Sequence, residues 1–193
     1  TISDDLTPCY NASMIMFEKL GCRRISLDEY RREFELPYMI FWNKYFPDLT
    51  KEEEEKLYTE AIYQVDGPTP YKGVREVIES LHGLGMNMIV ISSHLHDKLI
   101  LEARSYRIFD FFKEINGNIH DKVEAIGAIL AKNGFDPEQT MYVGDMTHDI
   151  DAGKAAGART VAITWGYQSE ARLRQAKPDH IINNISEVAQ LLN

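Results

Sequence analysis

The chain has 193 residues, 44% of them hydrophobic, with 21 Lys and Arg against 30 Asp and Glu for a formal net charge of −9. That length and apolar content support a core without disulfide or metal staples and exclude disorder over most of the sequence. The acidic balance argues against general binding to nucleic acid or to anionic membranes.

Cys9 and Cys22 have no CxxC spacing and read as reduced thiols packed in a helical region. The apolar runs are far shorter than the ~18–20 residues that span a membrane, and no basic-then-apolar leader opens the sequence. The expectation is a cytoplasmic monomer or homodimer.

The first third reads as helical. Asn11–Leu20 carries apolar residues at helical spacing and is closed by Gly21. Ser26-Leu27-Asp28-Glu29 is a capping box, Pro37–Phe46 is an aromatic-rich segment ending before Pro47, and Thr50-Lys51-Glu52-Glu53 is a second capping box whose helix runs to about Tyr63. The acidic run Glu52–Glu55 reads as a solvated first turn favoured by the helix dipole. No strand is expected until after Gly67-Pro68-Thr69-Pro70.

From there helix and strand alternate. Helices are expected over Val74–Leu84, Asp97–Arg104, Lys122–Asn133, Asp149–Ala156 and Ser186–Leu192. Strands are expected over Met86–Ile91, Phe112–Ile115, Thr140–Val143, Thr160–Ile163 and His180–Ile182. This alternation predicts an α/β fold, a Rossmann-like parallel sheet core, with an inserted all-helical domain at 6–65 and the core at 1–5 and 66–193.

Open parallel sheets place ligands beyond the carboxyl ends of their strands. Met86–Ile91 delivers Ser92, Ser93 and His94 there; the next strand leads to His120, Asp121 and Lys122; Thr140–Val143 delivers Gly144, Asp145 and, one helical turn on, Asp149. A hydroxyl, an ammonium and two carboxylates suit a phosphate and a hard cation. Taken singly, Ser92 and Asp145 read equally well as caps, Lys122 as a solvated helix start, and His94, His96 and His148 as surface or loop residues.

Val143-Gly144-Asp145-Met146-Thr147-His148-Asp149 resembles the GDxxxD motif of the haloacid dehalogenase superfamily of phosphatases. Ala152–Ala158 and Val161–Tyr167 resemble the segments downstream of that motif in the phosphoglycolate-phosphatase-like branch. Ile89-Val90-Ile91-Ser92-Ser93 resembles the second motif, Lys122 fits the third-motif lysine, and Tyr71-Lys72-Gly73-Val74 resembles the entry to the core after the cap. The resemblance covers essentially the whole chain.

The resemblance implies a helical cap over a Rossmann-like core, with linkers near Ser3–Pro8 and Val65–Pro70. It also implies Mg²⁺-dependent hydrolysis of a small-molecule phosphomonoester through an aspartyl-phosphate. In that reading Ser92 and the Ser93 amide bind the phosphoryl group, Lys122 offsets charge, Asp145 binds Mg²⁺ and Asp149 binds it or orients its shell. A phosphomutase or phosphonate hydrolase would share these residues, whereas a metal-free dehalogenase would lack the carboxylate pair.

The first motif, Asp-x-Asp-Gly-Thr, is the one departure. Relatives place about twenty positions between its threonine and the glycine closing the next helix, and Thr1 to Gly21 has that spacing. Thr1 thus matches the motif's threonine, which puts the nucleophile, the acid/base and the central first strand ahead of Thr1. Were those aspartates absent, a non-catalytic binding protein would be the alternative. Tyr38, Trp42 and Lys44 are cap residues that could face the site.

Overall fold

The computed structural model describes residues 1–192. The chain divides into two compact units, one of Ser3–Thr69 and one of Thr1–Ile2 with the segment from Pro70 onward. The junction segments β1 (Ser3–Asp4) and β2 (Thr69–Pro70) pair as a two-stranded sheet, so a strand forms earlier than the sequence predicts.

The first unit is built on α1 (Leu6–Lys19), α2 (Leu27–Glu33), α3 (Met39–Tyr45) and α4 (Lys51–Ile62). Helix α1 starts before Pro8 rather than at Asn11 because proline is tolerated in a first turn, where its missing N–H has no intrahelical acceptor. Thr50 and Glu53 form both halves of the expected capping box. At Ser26 only one half forms, its side chain accepting from the Glu29 amide.

The core of this unit is aromatic. Phe17 meets Trp42 at 5.7 Å and Phe46 at 5.1 Å between ring centroids, and Tyr30 meets Phe41 at 5.3 Å edge-on. Trp42 is fully buried among these rings, Lys44 pairs with Glu33 at 2.6 Å, and the Tyr38 hydroxyl donates to Glu55. Cys9 is buried with its Sγ 3.3 Å from the Tyr58 hydroxyl, and both cysteines are free thiols.

Glu54 corrects the solvated-turn reading, because it is only 4% exposed. It lies four, seven and eight residues before Tyr58, Ala61 and Ile62, a spacing that puts all four on one face of α4, and Ala61 and Ile62 are buried.

The second unit is α/β, as expected. Strands β3 (Ile89–Ile91) and β4 (Glu114–Asn116) form one parallel ladder. Strands β5 (Met141–Gly144), β6 (Arg159–Ile163) and β7 (His180–Ile182) form another. These are two ladders rather than one sheet among the described residues, yet they share a core. Met88, just before β3, packs with Met141 and Val143 of β5 against buried Leu81, Val161, Ile163 and Ile182.

Helices α5 (Val74–Gly83), α6 (His96–Ser105), α7 (Lys122–Asn133) and α8 (Thr147–Ala155) alternate with the strands. A helix that the sequence reading omits, α9 (Glu170–Gln175), is anchored by fully buried Leu173 and capped by Ser169. The expected final helix is instead a 3₁₀ segment at Ile185–Leu192. No helix among the described residues is long and apolar enough to cross a membrane.

Candidate active site

Strand β5 ends at Gly144, and the chain turns through Asp145 and Met146 into α8. That turn folds the Asp149 side chain back beneath it. The Asp149 Oδ2 accepts from the amides of Asp145 at 3.2 Å and Met146 at 3.1 Å. This requires glycine at 144, since a Cβ there would lie 2.3 Å from the Asp149 Cβ.

The other oxygen, Asp149 Oδ1, accepts from Lys122 Nζ at 2.6 Å. Lys122 opens α7, but it is not a solvated helix start: it is 8% exposed and Asp149 only 3%. Burial lowers the lysine pKa, but Asp149, helped by Tyr142 and Asp145, outweighs that and holds it above its ordinary value. Burial lifts the Tyr142 hydroxyl beside the pair to about 12.

Asp145 is anchored differently. Its Oδ2 accepts from the Tyr167 amide at 2.8 Å, and its Oδ1 accepts from the Thr1 hydroxyl at 3.0 Å. The loop after β6 supports this side of the site. Gly166 sits where a Cβ would meet the Asp145 carboxylate at 2.3 Å, and the Trp165 indole donates to the Thr1 carbonyl.

Ser92 and Ser93 come directly after β3. The Ser92 amide continues the ladder to the Asn116 carbonyl at 2.9 Å, and its Oγ accepts from the His94 amide at 3.1 Å, leaving the hydroxyl proton to donate elsewhere. His94 is not a surface residue: its Nε2 lies 3.3 Å from Glu102, both side chains largely buried. His148 is half-buried at the start of α8, and burial, with Lys122, lowers its pKa.

The helix ends place a limit on anion binding. Asp121 caps α7 by accepting from the Val123 and Glu124 amides, and the amides at the start of α8 are taken by Asp149 and Gln168.

The same accounting tests the fit of a divalent cation. No group of three or more His, Cys, Asp or Glu side chains suited to a metal occurs among the described residues. Asp149 has both oxygens committed. Asp145 Oδ1 is a hard oxygen whose contact is the Thr1 hydroxyl, and Mg²⁺ commonly takes one or two carboxylates with phosphate and water completing its octahedron. The residues present fit Mg²⁺ at Asp145, with Asp149 holding the surrounding frame.

The sequence reading misses Gln168 and Gly166, which act on the Asp145 turn across the loop after β6. The signal for them was the Trp165-Gly166-Tyr167 run, which offers a glycine and two aromatic residues at a strand end.

The family model for haloacid dehalogenase-like hydrolases matches residues 1–163. Among curated proteins, pyrophosphatase PpaX of Halalkalibacterium halodurans is 25% identical over 128 residues, covering 64% of this chain and 60% of that protein. The phosphoglycolate phosphatase of Haemophilus influenzae is 30% identical over 129 residues, covering 63% and 57%. The chain thus spans about 60% of the length of the curated relatives it matches. Among solved structures, a haloacid dehalogenase-like hydrolase from Streptococcus pneumoniae superposes with a TM-score of 0.85 at 22% identity, over 100% of this chain and 94% of that one. A hydrolase from Pseudomonas syringae gives 0.83 at 14%, over 100% and 93%. At these identities the structures speak for a shared fold.

Proposed function

The chain belongs to the haloacid dehalogenase-like hydrolase family, and from that membership and the strand-end cluster we propose that it is a Mg²⁺-dependent phosphatase acting on a small-molecule phosphomonoester. The observation that carries this reading is the buried Lys122–Asp149 pair at 2.6 Å beside Asp145. A lysine that burial would neutralise is kept charged at the carboxyl end of a parallel strand. That arrangement is costly for stability alone and useful for a group with negative charge.

In this proposal Ser92 donates its hydroxyl proton to a phosphoryl oxygen, helped by the Ser93 amide, and Lys122 offsets the charge. Asp145 holds the cation through Oδ1 while the Tyr167 amide fixes Oδ2. Bound Mg²⁺ would lower the negative charge facing an incoming nucleophile. Asp149 keeps Lys122 charged and the β5–α8 turn in place.

The covalent step is a transfer of the phosphoryl group to an aspartate carboxylate. The P–O bond to the leaving alcohol breaks as the P–O bond to the carboxylate forms, and a general acid protonates the alcohol. Water then attacks phosphorus, releasing phosphate and the free carboxylate. The resemblance assigns the nucleophile and the acid/base to the two aspartates of its first motif. Reading the codons before Thr1 checks that assignment.

The helical unit, Ser3–Thr69, is assigned as the cap that selects substrate. The names of the relatives differ, pyrophosphatase and phosphoglycolate phosphatase, at 25% and 30% identity, so neither substrate is carried over. The test is phosphate release from an aryl phosphate, with and without Mg²⁺. Release that requires Mg²⁺ and falls in Asp145→Ala supports the reading, whereas full activity in EDTA sinks it.

A further inference from the structure

Gln168 is 2% exposed, among the most buried polar side chains in the molecule. Its Oε1 accepts from the Thr147 amide at 2.8 Å, and its own amide donates to the Asp145 carbonyl at 3.3 Å. The preceding residue, Tyr167, gives its amide to Asp145 Oδ2 at 2.8 Å. Three hydrogen bonds thus join residues 167–168 to 145–147, on both sides of the cation-facing carboxylate. Gly166 brings the loop within contact of that carboxylate, since a Cβ there would meet it.

We infer that Gln168 is a positioning residue: its side chain clamps the loop after β6 to the start of α8, so that the Tyr167 amide stays on Asp145 Oδ2 and Oδ1 keeps its orientation toward Thr1. This deepens the proposed function and rests on Asp145 being the cation ligand. A carboxylate fixed through one oxygen presents the other in a single orientation. Losing an outer contact of that kind typically lowers metal affinity by ~10–100-fold.

The competing account is that Gln168 merely caps α8, and two variants separate the accounts. Gln168→Met removes the acceptor at nearly constant shape. Thr147→Pro removes the donor at the first position of α8, where proline is favoured because the lost N–H needs no partner. Met146 before it is already extended at φ −128 and ψ 152, as a residue preceding proline must be.

Each variant is assayed by thermal unfolding, by hydrogen exchange of the Tyr167 amide, and by Mn²⁺ titration followed by electron paramagnetic resonance. The clamp predicts that Thr147→Pro lowers the unfolding midpoint modestly, because the buried Gln168 Oε1 loses its donor, and that it speeds Tyr167 exchange and weakens Mn²⁺ by about 10-fold. Gln168→Met should do the same with an added loss of midpoint, and the double variant should be no worse than Gln168→Met for Mn²⁺. Wild-type exchange and Mn²⁺ affinity in Thr147→Pro would overturn the clamp and leave helix capping. A wild type that binds no Mn²⁺ overturns the cation-site reading together with the clamp. A wild type that binds it, with variants that bind equally well, overturns the clamp alone.

Discussion

Both units of this molecule bury an acidic side chain, and they solve the problem in opposite ways. In the α/β unit Asp149 is met by a lysine on one oxygen and by two backbone amides on the other. In the helical unit Glu54 is hydrogen-bonded to the Trp42 side chain, with no cation hydrogen-bonded to it among the described residues, and burial lifts its pKa to about 8, with neighbouring Glu55 adding to the rise. The first solution sets a carboxyl group against a lysine at a strand end, at the cost of desolvating both. The second gives up the charge, and a neutral acid in an aromatic helical core has no ion to stabilise. The difference separates a unit arranged around charge from one arranged around packing.

The sharpest way to break that comparison is at Asp145, the buried acid whose Oδ1 is assigned to a cation. Asp145→Ala should cut Mg²⁺-dependent phosphate release by ~10³-fold or more, while the unfolding midpoint moves little. A loss of fold instead would make Asp145 a structural acid like Asp149.

Lys122→Met comes next. It should lower turnover by ~10²-fold or more and destabilise by ~3–5 kcal/mol, because Asp149 is left buried without its cation. Adding Asp149→Asn should recover most of that stability and none of the turnover, read by denaturant unfolding beside the phosphate assay. Recovery of both would mean that the charge pair has no part in the reaction.

How far these sites were legible depends on how local their signals are. The Thr50–Glu53 box and α7 at Lys122–Asn133 arise from neighbouring residues, and both form as the sequence predicts. Asp145 and Lys122 are legible because a strand end and a helix start announce them. Gln168 is not, since its partner Thr147 lies 21 positions away across a strand and a loop. Helix α9 hides because Glu-Ala-Arg-Leu-Arg-Gln offers only Leu173 as a large apolar residue. Glu54 hides inside a run of four glutamates, where composition suggests solvent and only its spacing to Ala61 and Ile62 shows the buried face.

Ser92→Ala should have a smaller effect. It removes one hydroxyl donor to a charged group and the acceptor for the His94 amide, worth ~1.5–3 kcal/mol, or ~10–100-fold in kcat/KM. Ser92→Thr should retain most of the activity because it keeps the hydroxyl. Equal losses in the two variants would shift the phosphate contact to Ser93 and Lys122.

The helical side of the comparison is tested by the pH response of Glu54. Its folded pKa is raised from 4.5 to about 8. Below 4.5 the acid is protonated whether folded or unfolded and does not affect the balance. Between 4.5 and 8 the unfolded chain ionises while the folded one stays neutral, so stability falls as pH rises, levelling off above 8. The fall is on the order of 5 kcal/mol, at 1.36 kcal/mol for each pH unit of difference. Glu54→Gln keeps the shape and removes the proton, so it should flatten this slope and stabilise the helical unit most at alkaline pH. Thermal unfolding of both proteins from pH 5 to 9 measures it. Parallel curves would mean that Glu54 ionises inside the fold with a compensating partner, and the two units would then bury acid by the same device.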